Sequence, residues 1–127
     1  MHVEKSTIRK PKLKVPDHIE GNLYLGCENC GSNLEALKEL NITRVIIACQ
    51  YVEPVDPVNI EYLVCDIDDD PSENIAQHFD ECIEFIDSSP DNVLIHCISG
   101  ISRSGAIVIA YCMKKKGMSY QEALEFV

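Results

Sequence analysis

The segment from residue 92 to residue 117 constrains the fold of this chain more than any other. It begins with the compact apolar run NVLIHC at 92–97, continues through ISGISRS at 98–104, and ends in GAIVIAYCMKKKG. The first run predicts a buried strand. The last predicts a helix, because its closing lysines suit the negative end of a helix dipole and Gly117 is a common stop. A strand, a tight loop and a helix are therefore expected in direct succession.

Strand and helix patterns alternate along the rest of the chain. Capping patterns predict helices that begin near Ser32, Asn74 and Ser119. Three runs rich in apolar or β-branched residues predict strands: NLYLG at 22–26 with a turn at Gly26, ITRVIIACQ at 42–50, and IEYLVCDI at 60–67. This alternation predicts a single α/β domain, with a central mixed, mostly parallel sheet flanked by helices.

Composition and charge narrow the class of protein. With 127 residues, 46% of them hydrophobic, the chain can bury one core. Its net charge of −10 argues against a nucleic-acid partner. No apolar stretch approaches the ~20 residues that span a membrane, and the first fifteen residues are too polar for a signal peptide. We expect an intracellular protein of the cytoplasm or nucleus with no membrane partner; its oligomeric state is open.

The chain has an odd number of cysteines, seven, and no secretory signal, so reduced thiols are expected. Cys27 and Cys30 form a lone CxxC. No second Cys or His pair at ligand spacing accompanies it, and we expect no metal site there.

The loop after residue 96 carries the residues with the clearest chemistry. A loop between a strand and a helix N-terminus gathers backbone N–H groups into an anion cradle, and Gly100 allows its tight turn. This field favours the thiolate of Cys97, a nucleophile. Arg103 can hold two oxygens of a phosphoryl group with its planar fork. Ser104 can hydrogen-bond the sulfur, and His96 is expected to order the loop.

HCISGISRS at 96–104 resembles the HCxxGxxR signature, followed by Ser or Thr, of the cysteine-dependent protein phosphatases. GNLYLG, TRVIIA and SRSGAIVIAYCM make the chain similar to the dual-specificity phosphatases within that superfamily. The resemblance implies a cysteine-phosphatase-like fold, with residues 1–15 as a basic arm and 16–127 as a catalytic domain that lacks a C-terminal helix. It also implies a phosphate-binding loop made of Ile98, Ser99, Gly100, Ile101, Ser102 and Arg103.

The resemblance further implies a general acid on the loop before the long helix. Family members place this Asp five residues before the Asn or Asp that caps the helix, and counting back from Asn74 gives Asp69. Asp68 and Asp70 remain alternatives. Cys97 would attack phosphorus while Asp69 protonates the leaving oxygen and later activates water. This chemistry requires no metal or organic cofactor.

The loop lacks the lysines that phosphoinositide-specific relatives carry, which favours phosphoproteins bearing phosphotyrosine, phosphoserine or phosphothreonine. The basic arm RKPKLKV loosely resembles a kinase-docking motif, so a protein kinase is a candidate partner, although a solvated arm is the simpler interpretation. A pseudophosphatase-like binding module, an RNA 5′-phosphatase and a sulfurtransferase-like domain are the alternative functions.

Cys49 ends the predicted central strand, near the place where some relatives carry a cysteine that traps the oxidised nucleophile. A reversible Cys49 to Cys97 disulfide is therefore a hypothesis. The alternative is that Cys49 is simply a small buried apolar residue.

Overall fold

The strands form one mixed sheet in the computed structural model, which describes residues 15–49, 52–65, 75–97 and 102–126. The strands are β1 (Asp17–Glu20), β2 (Leu23–Cys27), β3 (Ile42–Ile47), β4 (Glu61–Val64) and β5 (Asn92–Cys97). Their spatial order is β1-β2-β5-β3-β4. Strand β1 runs antiparallel to β2, and the other three pairings are parallel. The predicted α/β fold with a mostly parallel sheet is confirmed.

Helices cover both faces of this sheet. They are α1 (Glu28–Gly31), α2 (Leu34–Glu39), α3 (Phe79–Asp87), α4 (Ser102–Lys115) and α5 (Tyr120–Phe126), and a 3₁₀ helix at Ile75–His78 leads into α3. Helices α1 and α2 pack against β2, β3 and β5, whereas α4 packs against β2, β5, α3 and α5. Two buried apolar clusters result. None of the described helices has both the length and the apolar character that a membrane-spanning segment requires.

The central strands β3 and β5 are buried along nearly their whole length, as expected for parallel strands covered on both faces. Among the described residues, Arg44 is a charged residue of this core and is 4% exposed. Its Nε lies 3.0 Å from Glu61 Oε1, and its guanidinium donates to the Phe85 carbonyl and, at 2.9 Å, to Ser88 Oγ. These bonds satisfy the buried charge and tie β3 to β4 and to α3.

One predicted helix cap is confirmed and another is wrong. At α5, the Ser119 amide donates to Glu122 Oε1 at 2.9 Å, and the Glu122 amide donates to Ser119 Oγ at 3.1 Å, a reciprocal capping box. At α2 the cap is Asn33, whose side chain accepts from the Ala36 amide at 3.2 Å. Ser32 instead lies in the turn after α1. Asn74 lies outside the described residues.

The structure contains two elements that the sequence did not predict, and it places one residue differently from the prediction. Strand β1 and helix α1 were not predicted, and Gly26 lies inside β2 rather than in a turn. A Cβ at position 26 would come within 2.8 Å of Cys30 Cβ and Sγ. Glycine at 26 therefore lets α1 pack closely on β2.

Candidate functional site

The candidate site lies at one edge of the sheet, where the parallel strands end. Cys97 is the last residue of β5 and pairs in register with Cys27, and His96 pairs with Gly26 and Ile47. Helix α4 begins at Ser102, and residues 98–101, between β5 and α4, lie outside the described residues. Ligands of open parallel sheets bind beyond the carboxyl ends of the strands. Strand β5 therefore ends, and helix α4 begins, at the edge where a ligand is expected.

Cys97 and Ser104 are in contact across this edge. Both residues are fully buried, and Cys97 Sγ lies 3.6 Å from Ser104 Oγ. Ser104 Oγ also lies 3.5 Å from the Gly26 carbonyl oxygen. A hydroxyl has one proton to donate. When Cys97 is a thiol, it can donate to Ser104 while Ser104 donates to Gly26; when Cys97 is a thiolate, Ser104 can donate to the sulfur.

His96 lies beside the nucleophile candidate and is 3% exposed. A Cβ at position 31 would come 2.5 Å from His96 Nε2, so only glycine at the end of α1 leaves room for the ring. Burial lowers the pKa of His96 from 6.5 to about 4, although the Cys97 backbone partly offsets this effect. The ring is therefore neutral near neutral pH and supplies no positive charge to a Cys97 thiolate.

The neutral state of His96 predicts acid sensitivity. The unfolded chain takes up a proton on His96 near pH 6.5, whereas the folded chain does so only near pH 4. Above pH 6.5 the neutral ring therefore makes its full contribution to the free energy of unfolding. This contribution is lost as the pH falls from 6.5 through 4, and the free energy of unfolding decreases by about 3 kcal/mol. Urea unfolding of the wild type and His96→Asn between these pH values measures it.

In this window His96→Asn should flatten the dependence of stability on pH. His18→Asn, a substitution of an exposed histidine, serves as the matched control and should retain the wild-type dependence. Parallel pH profiles for the wild type and His96→Asn would show that the buried ring is not the group responsible.

Several predicted site residues are not placed by the structure. Asp69 and its alternatives Asp68 and Asp70 lie outside the described residues, as do Ile98, Ser99, Gly100 and Ile101. Ser102 and Arg103 open α4, but only their backbone is described. The roles assigned to these side chains stay predictions.

Cys49 is 3% exposed and belongs to the same buried apolar cluster as Cys97. This placement suits a small apolar residue of the core and also brings the two cysteines into one region. Their disulfide stays a prediction.

Comparison with known proteins assigns the family. The family model described as dual specificity phosphatase, catalytic domain, matches residues 23–127. The chain belongs to the dual specificity phosphatases. The resemblance drawn from HCISGISRS is thereby confirmed, since the matched range contains this motif.

Individual relatives agree with this assignment. Dual specificity protein phosphatase 1 of Arabidopsis thaliana is 40% identical over 116 residues, covering 89% of this chain and 59% of that protein. MAP kinase phosphatase with leucine-rich repeats protein 1 of Dictyostelium discoideum is 42% identical over 113 residues, covering 87% of this chain and 13% of that protein. The chain thus spans about three fifths of the first relative and a small part of the second.

A solved structure supports the fold in the same way. The human tyrosine phosphatase-like serine/threonine/tyrosine-interacting protein is 38% identical, with a TM-score of 0.83. The alignment covers 88% of this chain and 81% of the human one.

Proposed function

We propose that this chain hydrolyses phosphotyrosine, phosphoserine and phosphothreonine in proteins through a phosphocysteine intermediate. The observation that carries the proposal is the 3.6 Å contact between Cys97 Sγ and Ser104 Oγ at the carboxyl edge of the sheet. Membership of the dual specificity phosphatases supports the reaction.

In the first step, the Cys97 thiolate uses an electron pair to form the S–P bond as the P–O bond to the substrate breaks. Asp69 donates a proton to the leaving oxygen, which departs as a neutral hydroxyl group. Arg103 holds two oxygens of the transferring phosphoryl group with parallel hydrogen bonds.

In the second step, Asp69 accepts a proton from a water molecule that attacks phosphorus, and the S–P bond breaks to release phosphate and the Cys97 thiolate. Ser104 donates its hydrogen bond to the sulfur as negative charge returns there, which makes Cys97 a better leaving group. The 3.6 Å separation supports this role.

The thiolate needs a source of stabilisation other than His96, since that ring is neutral at neutral pH. The proposed sources are the Ser104 hydroxyl and the backbone N–H groups at the N-terminus of α4, a helix of 14 residues that begins at Ser102. The same N–H groups attract phosphate oxygens. The positive electrostatic field at this helix end would therefore both stabilise the Cys97 thiolate and bind the substrate phosphate.

The proposed substrates are intracellular phosphoproteins of the cytoplasm or nucleus. MAP kinase phosphatases are named among the relatives, which supports a phosphorylated protein kinase as a candidate substrate or partner. The name of the similar human structure, a tyrosine phosphatase-like interacting protein, favours a second candidate, a module that binds phosphoproteins without hydrolysing them. The presence of Cys97, Arg103 and Asp69 in this sequence favours hydrolysis.

Turnover of phosphopeptides distinguishes these two functions. The wild type should release phosphate from both phosphotyrosine and phosphothreonine peptides in the presence of a metal chelator. Colorimetric phosphate release measures the rate, and calorimetry measures peptide binding. Peptide binding without any turnover would establish the binding module instead.

Asp69→Asn tests the proposed acid. A general acid contributes about 10²–10⁴-fold when the leaving group needs a proton. We therefore expect a loss of about 10²-fold or more with a phosphothreonine peptide, a much smaller loss with an activated aryl phosphate, and a flattened basic limb of the pH–rate profile. Asp68→Asn and Asp70→Asn are the matched controls. Equal losses for the two substrates in Asp69→Asn would assign the acid to another residue.

A further inference from the structure

Potential metal ligands gather where β4 ends and α3 begins. Cys65 directly follows β4, His78 ends the 3₁₀ helix, and Glu81 lies in the first turn of α3. Cys65 Sγ, a ring nitrogen of His78 and a carboxylate oxygen of Glu81 all lie within 4.8 Å of one another. None of these residues takes part in the proposed phosphoryl transfer, so the cluster is unexplained by that reaction.

The separations within the cluster suit a tetrahedral ion. Cys65 Sγ lies 3.9 Å from Glu81 Oε1, and His78 Nδ1 lies 3.8 Å from the same oxygen. Tetrahedral zinc, with zinc–sulfur distances of about 2.3 Å and zinc–nitrogen or zinc–oxygen distances of about 2.0–2.2 Å, holds its ligand atoms roughly 3.3–3.8 Å apart. Both separations from Glu81 Oε1 lie close to this range.

The donor types select the ion. A thiolate, an imidazole and a carboxylate are ligands that zinc accepts together, whereas magnesium and calcium prefer oxygen ligands alone. His78 Nε2 is buried and has no hydrogen-bond partner in the part of the chain that the structure describes, so no hydrogen bond there opposes ligation through Nδ1. The Glu81 side chain is 55% exposed, which leaves an approach for the ion and a place for a water molecule as the fourth ligand.

Cys82 supports the sulfur ligand. Its Sγ lies 3.4 Å from Cys65 Sγ, and both residues are buried. When Cys65 binds the ion as a thiolate, the Cys82 thiol can donate a hydrogen bond to its sulfur, and such outer partners orient metal ligands.

We propose that Cys65, His78 and Glu81 form a zinc-binding site, with Cys82 hydrogen-bonded to the sulfur ligand. The ion would join the end of β4 to the start of α3, the two elements on either side of residues 66–74. That segment includes Asp69, the proposed acid. The site is structural, and zinc takes no part in phosphoryl transfer.

Metal titration of the reduced 127-residue chain tests the site. The protein carries Cys97→Ser, which removes the proposed nucleophile as a competing ligand, and zinc is titrated against a chromophoric chelator. We expect one zinc ion per chain. Cobalt, used as a spectroscopic substitute, should give a thiolate-to-cobalt charge-transfer band and the strong visible bands of four-coordinate cobalt.

Single substitutions in this background assign the ligands. Cys65→Ser should remove the charge-transfer band, and His78→Gln and Glu81→Gln should weaken zinc binding by at least about 100-fold, since even outer partners of metal ligands contribute 10–100-fold. Cys112→Ser, at a buried cysteine outside the cluster, and Glu84→Gln, at an exposed position of α3, are the matched controls and should retain the parent affinity.

Thermal unfolding provides a second test of the site, which does not depend on whether Cys65→Ser folds. Zinc should raise the melting temperature of the parent and of Glu84→Gln but not of Glu81→Gln, whose exposed side chain tolerates substitution. Absence of zinc binding, equal affinity in Glu81→Gln and Glu84→Gln, or loss of the cobalt band in Cys112→Ser would each overturn the proposal. Because all readouts are binding and stability, a failed phosphatase assay leaves the result intact.

Discussion

Replacing Cys97 with serine is expected to lower kcat for an aryl phosphate by at least about 10⁴-fold, the scale on which enzymes lose rate when the nucleophile is removed. A serine hydroxyl stays protonated near neutral pH and needs a base to attack phosphorus. His96 is the nearest histidine in sequence, yet its pKa of about 4 makes it a poor base. The backbone N–H groups at the N-terminus of α4 remain in this variant, so phosphopeptide affinity should persist.

Steady-state kinetics and calorimetry with one phosphotyrosine peptide check both parts of this prediction. Cys112→Ser is the matched control. Cys112 is also buried but lies near the end of α4, whereas Cys97 precedes that helix. It should retain wild-type kcat. Turnover by Cys97→Ser within tenfold of the wild type would contradict the proposed nucleophile. Lost peptide affinity in a folded Cys97→Ser protein would contradict the view that the loop and α4, not the sulfur, hold the phosphate.

The elements that bury a continuous apolar surface could be predicted from sequence. Strand β5 has the predicted bounds of 92–97, because a run that is apolar on both faces suits only a central strand. Strand β1 could not be predicted in the same way. Its sequence DHIE is polar and half exposed, and it is a strand because it pairs with the edge of β2. Its pairing is a tertiary contact that local propensity does not encode.

The same distinction applies to the candidate site. The motif predicted a hydrogen bond between Ser104 and the sulfur of Cys97, because a strand, a loop and a helix in direct succession place the two residues close together. The neutral state of His96 depends on its burial against Gly31, a residue of a helix that the sequence did not predict. The cluster of Cys65, His78 and Glu81 depends on where β4 ends relative to α3. Spacing along the chain gives no indication of that contact.

Arg103→Lys is expected to reduce kcat/KM by about 10³-fold or more, within the range that a transition-state arginine contributes to phosphoryl transfer. The backbone of Arg103 lies in the first turn of α4, at the positive end of the dipole of a 14-residue helix. Lysine keeps the charge but cannot make two parallel hydrogen bonds to phosphoryl oxygens. Both kcat and the affinity for inorganic phosphate should therefore fall, although the net charge of the protein is unchanged.

Inhibition by vanadate distinguishes the contribution of the two parallel hydrogen bonds of Arg103 from the contribution of its positive charge. Vanadate adopts the trigonal-bipyramidal geometry of the transferring phosphoryl group, so an arginine that holds equatorial oxygens should bind it far more tightly than phosphate. Arg103→Lys should lose more affinity for vanadate than for phosphate, whereas Arg9→Lys, an identical exchange outside the motif, should change neither. Equal losses for the two anions would mean that Arg103 acts as a point charge. Catalysis would then rest on the loop amides and the N-terminus of α4 more than on the guanidinium.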